Sequence, residues 1–295
     1  YCQHSLKFSF DGEDVSSEDN EPFGFDRLQA HIHGKELLEA LQSRQPADLD
    51  GFFQQQMTAL SGKGALPLGG FAETAFAGIA VPAGQAWRQY QILFEQWPRE
   101  MQARHIELSF GCADGVSLQL SADLTHLRHS GAGDSCAVLS LTAQTLLKKD
   151  RIQYHKLILP WLQHLAACAD GLPAQSFIAA ADGIITLQPL PQAEALDHLQ
   201  TLLEAWRQGM RAPLPVACRT AFAWLNAPED KALETAQAQY DGDDWNPGEV
   251  DFDAYLERFF PSFASLYHSE TADFEHWASA LYRPLYIHLK PLQDG

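Results

Sequence analysis

Apolar positions along the chain change period near residue 100, and that change organises the sequence before any motif does. Up to that point they recur at three- and four-residue steps. Leu37, Leu38 and Leu41 begin a helical stripe that stops near Pro46, and Trp87, Tyr90, Leu93, Phe94 and Trp97 trace a second buried helix face. Gly62, Gly64, Pro67, Gly69 and Gly70 punctuate a turn-rich connection between them, and Asp11 to Glu21 reads as a solvated acidic loop.

From His105 the period drops to two. His105 to Phe110 alternates polar and apolar, Cys112-Ala113-Asp114-Gly115 offers a turn, and Val116, Leu118 and Leu120 alternate again, which predicts a hairpin. Cys136 to Leu141 is a third strand candidate after Gly131-Ala132-Gly133-Asp134. A long amphipathic helix then carries Tyr154, Leu157, Ile158, Trp161, Leu162 and Leu165 on one face, with Pro160 expected to kink or restart it and Gly171 and Pro173 to end it. Phe177 to Leu187 predicts a second hairpin turning at Asp182-Gly183. The next helix, about Gln192 to Gln208, places Leu196, Leu199, Leu203 and Trp206 inward and stops at Gly209. Three antiparallel strands, a helix, more strand and another helix make a mixed α/β (α+β) core over residues 101–225. A mainly helical part precedes it (1–100), and an acidic loop with aromatic-rich helices follows (226–295), all in one compact unit.

Charge sharpens this division. The 295 residues carry 38 acids against 20 Lys and Arg, a formal charge of −18. The core holds 10 acids and 9 bases, whereas residues 226–275 hold 13 and 2, so the acidity sits at the flanks. Such a balance argues against a free-standing duplex-DNA binder and against a polybasic membrane-surface protein. No apolar run approaches the roughly 18 residues of a membrane helix, and the expected location is the cytoplasm. Five cysteines without a C-x-x-C pair indicate neither a disulfide framework nor a zinc ribbon, and their places in strands and on helix faces suit inert burial. The opening Tyr1-Cys2-Gln3-His4 without Met reads as the edge of a piece cut from a longer chain.

Few motifs carry chemistry. Gly62-Lys63-Gly64 lacks the spacing of a phosphate loop, and no G-x-S-x-G elbow occurs. His31-Ile32-His33 would place two imidazoles on one face only if extended, so a surface or capping role is expected. Asp241 to Glu249 faintly resembles a calcium loop, but Trp245 stands where a third ligand belongs and Phe252 where the Glu belongs, which leaves a solvated loop. No metal and no cofactor is expected.

Strand-strand-strand-helix-strand is the core order of restriction-endonuclease-like (PD-(D/E)XK-type) nucleases. Their chemistry needs an Asp on the second strand and an acid and a Lys two residues apart on the third, the carboxylates holding Mg²⁺. Asp123 fits the first position, but Ser140 and Thr142 stand where the acid and Lys would be. The fold reading is therefore a nuclease-like core with lost catalytic residues. The competing reading is an active Mg²⁺ nuclease with migrated residues, Asp123, Asp134 and Lys148.

Several segments in this order carry a family resemblance. They are Glu21-Pro22-Phe23, Ala65 to Glu73, Trp161 to Gly171, Gly209 to Leu214, Ala223-Trp224-Leu225 and Arg283-Pro284-Leu285. Together they resemble the C-terminal domain of the exodeoxyribonuclease V gamma subunit (RecC) across essentially the whole chain. The resemblance implies a non-catalytic scaffold domain in a helicase–nuclease of DNA repair and recombination. Its implied partners are the beta and alpha subunits, together with DNA inside the complex, and no catalytic residue comes over with it. Two surfaces are candidates for contacts. Lys148, Lys149, Arg151 and Lys156, on or just before the long helix, are candidates for DNA phosphate, also in a third reading as an independent single-strand-binding module. Phe259, Phe263, Tyr282 and Tyr286, within an aromatic-rich end expected to be mostly core, are candidates for a partner interface.

Overall fold

A computed structural model describes residues 1–7, 24–112, 114–130, 135–269 and 273–289. The acidic stretch Asp11 to Glu21 and the migrated-residue candidate Asp134 lie outside these.

The first part is helical, as the three- and four-residue spacing predicts. Helix α1 (Arg27–Arg44) opens with a capping box in which the Asp26 carboxylate accepts from Gln29 N and the Gln29 side chain accepts from Asp26 N. It buries Leu37, Leu38 and Leu41 and ends just before Pro46. Helix α2 (Leu49–Gly62) is capped by Asp48, and α3 (Phe71–Gln96) buries Trp87, Tyr90 and Leu93.

Nine strands follow among the described residues. They are β1 (Arg99–Glu100), β2 (Arg104–Gly111), β3 (Ser117–Leu124), β4 (Leu127–His129), β5 (Cys136–Leu141), β6 (Leu147–Lys148), β7 (Arg151–Ile152), β8 (Ala174–Ala180) and β9 (Gly183–Leu187). The main sheet runs β1-β4-β5-β8-β9. Within it β4/β5 and β8/β9 are antiparallel and β5/β8 parallel. That parallel pair needs a crossover, supplied by α4 (Ile158–Ala169). The helices that follow are α5 (Gln192–Gly209), α6 (Cys218–Asn226), α7 (Ala232–Asp241), α8 (Ala254–Phe259), α9 (Phe263–Tyr267) and α10 (Phe274–Leu289).

Alternation along the strands sorts the core into two faces. Ala137, Leu139, Phe177 and Ala179 join the cluster of α1, α2 and α3. Ile178 and Ala180 face the other way, with Trp161 and Leu165 of α4, Leu199 of α5, Phe222 of α6 and Leu285 and Leu289 of α10. The extreme C-terminal helix therefore shares a core with the sheet.

Three expectations change, and one that was left open is decided. The three predicted antiparallel strands do not form one sheet, because β2 and β3 pair only with each other. The chain leaves β3 and re-enters the main sheet as β4 after His126, whose left-handed φ of 56° swings the hairpin away. Tyr154 and Leu157 are buried but precede the long helix, in a short 3₁₀ turn (Tyr154–Lys156) and its cap. Pro160 sits in the first turn of α4, where its missing N–H costs nothing, so it restarts the helix rather than kinking it. On α5 the buried seam passes through Ala195, Leu199 and Ala205, which turns Trp206 outward to 57% exposure.

Candidate functional site

The carboxyl end of β5 opens into a groove of about 1080 Å³. Ser140 and Thr142 share the parity of Cys136 and Val138, which face α4, so both belong to that side of the strand. Ser140, Thr142 and Gln144 line the groove floor, and Asp123 and His126 line it where the hairpin leaves the sheet. One wall is a stripe of α1, Arg27, His31 and Lys35, spaced four residues apart. The other wall is Lys156 with Leu159, Pro160 and Gln163 at the start of α4. Pro82 of α3 also lines the space and removes the helical donor of the Gly78 carbonyl beside it.

The three positions expected from the nuclease pattern are thus brought to one place. Among the described residues that line the groove, Asp123 is the sole acid, against Arg27, Lys35 and Lys156. Its carboxylate is already engaged, 2.6 Å from Nδ1 of His105, which stands opposite it in the β2–β3 register. Asp123 and, at 3.4 Å, Glu107 hold the His105 imidazole above its ordinary pKa through hydrogen bonding. Among the described residues, these positions offer two hydroxyls and one carboxylate already bonded to His105, fewer carboxylates than a Mg²⁺ site for phosphoryl transfer uses.

Lys156 is shaped by its surroundings. Its Nζ donates to the Thr145 carbonyl at 2.6 Å, and partial burial pushes its pKa down, with Asp182 opposing. Asp182, in the β8–β9 turn, accepts from Leu146 N and Leu147 N at 2.9 and 2.6 Å and pins the loop that closes the groove.

The expected basic cluster divides. Lys156 lines the groove, but Lys148, Lys149 and Arg151 lie on the β6–β7 hairpin and not on a helix. Lys149 and Asp150 both have left-handed φ, 51° and 61°, as a tight two-residue hairpin turn needs. The expected aromatic candidates are largely internal. Phe263 is buried against Tyr240 and Phe274, Tyr282 packs on Phe222, and Tyr286 on Tyr154. Phe259 is half-buried against Tyr1. His31 and His33 are helical, two residues apart, so their side chains point to different sides of α1: His31 to the groove, His33 to Glu36. Among the described residues no cluster of three His, Cys, Asp or Glu side chains is placed to hold a metal ion. Sequence reasoning passed over Arg27, Lys35, His126 and Gln163. The four-residue spacing of Arg27, His31 and Lys35 was the available signal.

A second polar cluster is part of the core. His164 is fully buried on α4, with Nδ1 2.9 Å from Ser176 Oγ and Nε2 2.9 Å from the Gln188 carbonyl oxygen. Burial, with His288 nearby, pushes its pKa down to about 4. Both ring nitrogens are occupied, which suits a neutral imidazole tying α4 to the sheet.

The model of the RecC C-terminal domain matches residues 1–229. The chain belongs to the RecC C-terminal domain family. It is also similar to the RecBCD enzyme subunit RecC of Escherichia coli (strain K12), at 26% identity over 275 residues. That alignment takes in 88% of this chain and 22% of the length of the relative. RecC C-terminal domain membership covers the α1 stripe, β5 and α4, so all three sides of the groove fall within the matched residues. No helix among the described residues is long and apolar enough to cross a membrane.

Proposed function

We propose that this chain is a non-catalytic scaffold domain of an exodeoxyribonuclease V-type helicase–nuclease acting in double-strand break repair and recombination. It docks the beta and alpha subunits and borders the DNA path. Its core derives from a nuclease of the PD-(D/E)XK kind, and the groove lies where that active site would be. The observation that carries this reading is the groove lining: three Lys and Arg side chains and hydroxyl donors around one carboxylate already paired with His105. Phosphate contacts need cations and donors, which are present, whereas cleavage needs paired carboxylates on a metal. A single strand laid in the groove would meet Arg27, Lys35 and Lys156 together, locally reversing the sign of an acidic chain.

Two measurements test this. In anisotropy titrations of a labelled oligonucleotide, neutralising about three phosphates gives a log K against log salt slope near −2, and R27Q with K35Q removes most of it. Salt-independent binding, or none at low salt, would reject the groove as a strand path. Co-purification with the beta and alpha subunits tests the scaffold role, and failure to retain either would end it. The competing reading, an active Mg²⁺ nuclease, predicts cleavage by the purified chain that disappears in D123A. Lys148, which that reading needs, lies on β6 and not among the groove-lining residues.

A further inference from the structure

Trp245 is 90% exposed, on a loop built to hold it there. Between α7 and the 3₁₀ turn Val250–Phe252 the chain doubles back, with Gly242 bridged to Pro247. Asp243 Oδ1 accepts from Trp245 N and Asn246 N, both at 2.8 Å, and the Asn246 amide closes on the same carboxylate. Those donors hold the Asp243 carboxyl below its ordinary pKa, so it stays charged. Both feet of the loop are clamped as well. Asp241 Oδ1 accepts from Phe263 N at 2.7 Å, and Glu249 accepts from Arg219 N and Thr220 N at the start of α6. An indole of roughly 200 Å² is thus presented from a fixed platform, so little ordering entropy remains to be lost when it is covered.

The surrounding charge decides what can cover it. Asp244, next to Trp245 in the chain and exposed, takes part in none of these backbone bonds, and residues 226–275 carry 13 acids against 2 bases. A base stack would bring phosphates against those acids. An anionic leaflet meets the same repulsion. A two-fold contact between copies would set the acidic patch against itself. A protein surface with an apolar pocket rimmed by Lys and Arg satisfies both the indole and the charge.

We infer that the 241–249 loop is a docking element, in which Trp245 inserts into an apolar, basic-rimmed pocket of a partner subunit while Asp244 pairs with the rim. This rests on the scaffold reading and adds the surface that reading lacks. The test uses the full-length chain in the assembled complex, with Trp245 replaced by the photo-crosslinker benzoylphenylalanine. The expected adduct is with a partner subunit, at a peptide containing Lys or Arg. W245A should weaken retention of that subunit about thirty-fold at unchanged melting temperature, as truncation of a buried aromatic anchor does, with W245F recovering most of it. D244K should weaken it further at low salt than at high salt. An adduct with DNA, with a second copy or elsewhere in the same chain overturns the inference, as does unchanged affinity in W245A. If instead the unaltered chain retains no subunit at all, the scaffold reading itself fails.

Discussion

His105 Nδ1 and the Asp123 carboxylate face each other across the β2–β3 register at 2.6 Å, on the exposed side of the hairpin. The pair raises the imidazole pKa, so its stabilising effect is fully present below the ordinary 6.5 and is lost as pH rises through the folded value. In D123N the His105 titration followed by NMR should move down toward 6.5. Excess Mg²⁺ should leave the wild-type curve unchanged. A downward shift on adding Mg²⁺ would show that Asp123 serves a metal instead.

One buried and two half-buried histidines set an acid limit. His164 and His155 are both depressed to about 4 by burial, and His288 is lowered for the same first cause. Their neutral forms are the native ones, so stability is complete above 6.5 and is lost as pH falls toward 4. From His164 alone the loss is on the order of 3 kcal/mol. Urea midpoints compared at pH 7 and pH 5 should drop in the wild type and drop less in H164N.

Glu249 caps α6 from outside the helix. One carboxylate oxygen accepts from Arg219 N at 2.9 Å, the other from Thr220 N and Thr220 Oγ1 at 2.7 and 2.8 Å. E249A strips three donors at once and should cost about 2 kcal/mol or more in denaturant unfolding, whereas E249Q keeps part of the cap and costs less.

Two glycines should respond differently to a methyl group. A Cβ at Gly248 would lie 2.1 Å from the Tyr240 carbonyl oxygen and 2.6 Å from Gly242 N, backbone atoms that cannot swing aside. Gly115, in the β2–β3 turn, has φ +81° but open space around it. G248A should therefore cost several kcal/mol and disorder the loop around Trp245, while G115A carries only the left-handed strain of about 1 kcal/mol. Equal melting temperatures for the two variants would contradict this.

Local periodicity made much of the fold legible. The α1 and α3 stripes, both hairpins and α5 follow from spacing within a dozen residues. What escaped depends on backbone states that spacing does not encode. The left-handed φ at His126 decides that the first hairpin leaves the sheet, and those of Lys149 and Asp150 decide that a basic run turns as a hairpin rather than entering a helix. Trp206 fits a three-four pattern as well as Ala205 does, and only the seam against α4 and α10 chooses between them. In the groove, Asp123, Ser140 and Thr142 were readable from strand order. The α1 stripe was readable as a spacing but had no meaning until α1 was known to face the end of β5.

The cap from Glu249 onto α6 has a consequence for where this unit can be cut. The family match stops at residue 229, yet the first turn of α6, at 218–226, takes its acceptors from residue 249, and Leu285 and Leu289 complete the apolar layer over Trp161 and Leu165. A chain ended at 229 would keep the residues that match the family but expose that layer and leave a helix start unpaired. The end of the family match and the end of the apolar layer that packs on the sheet are different borders, about sixty residues apart.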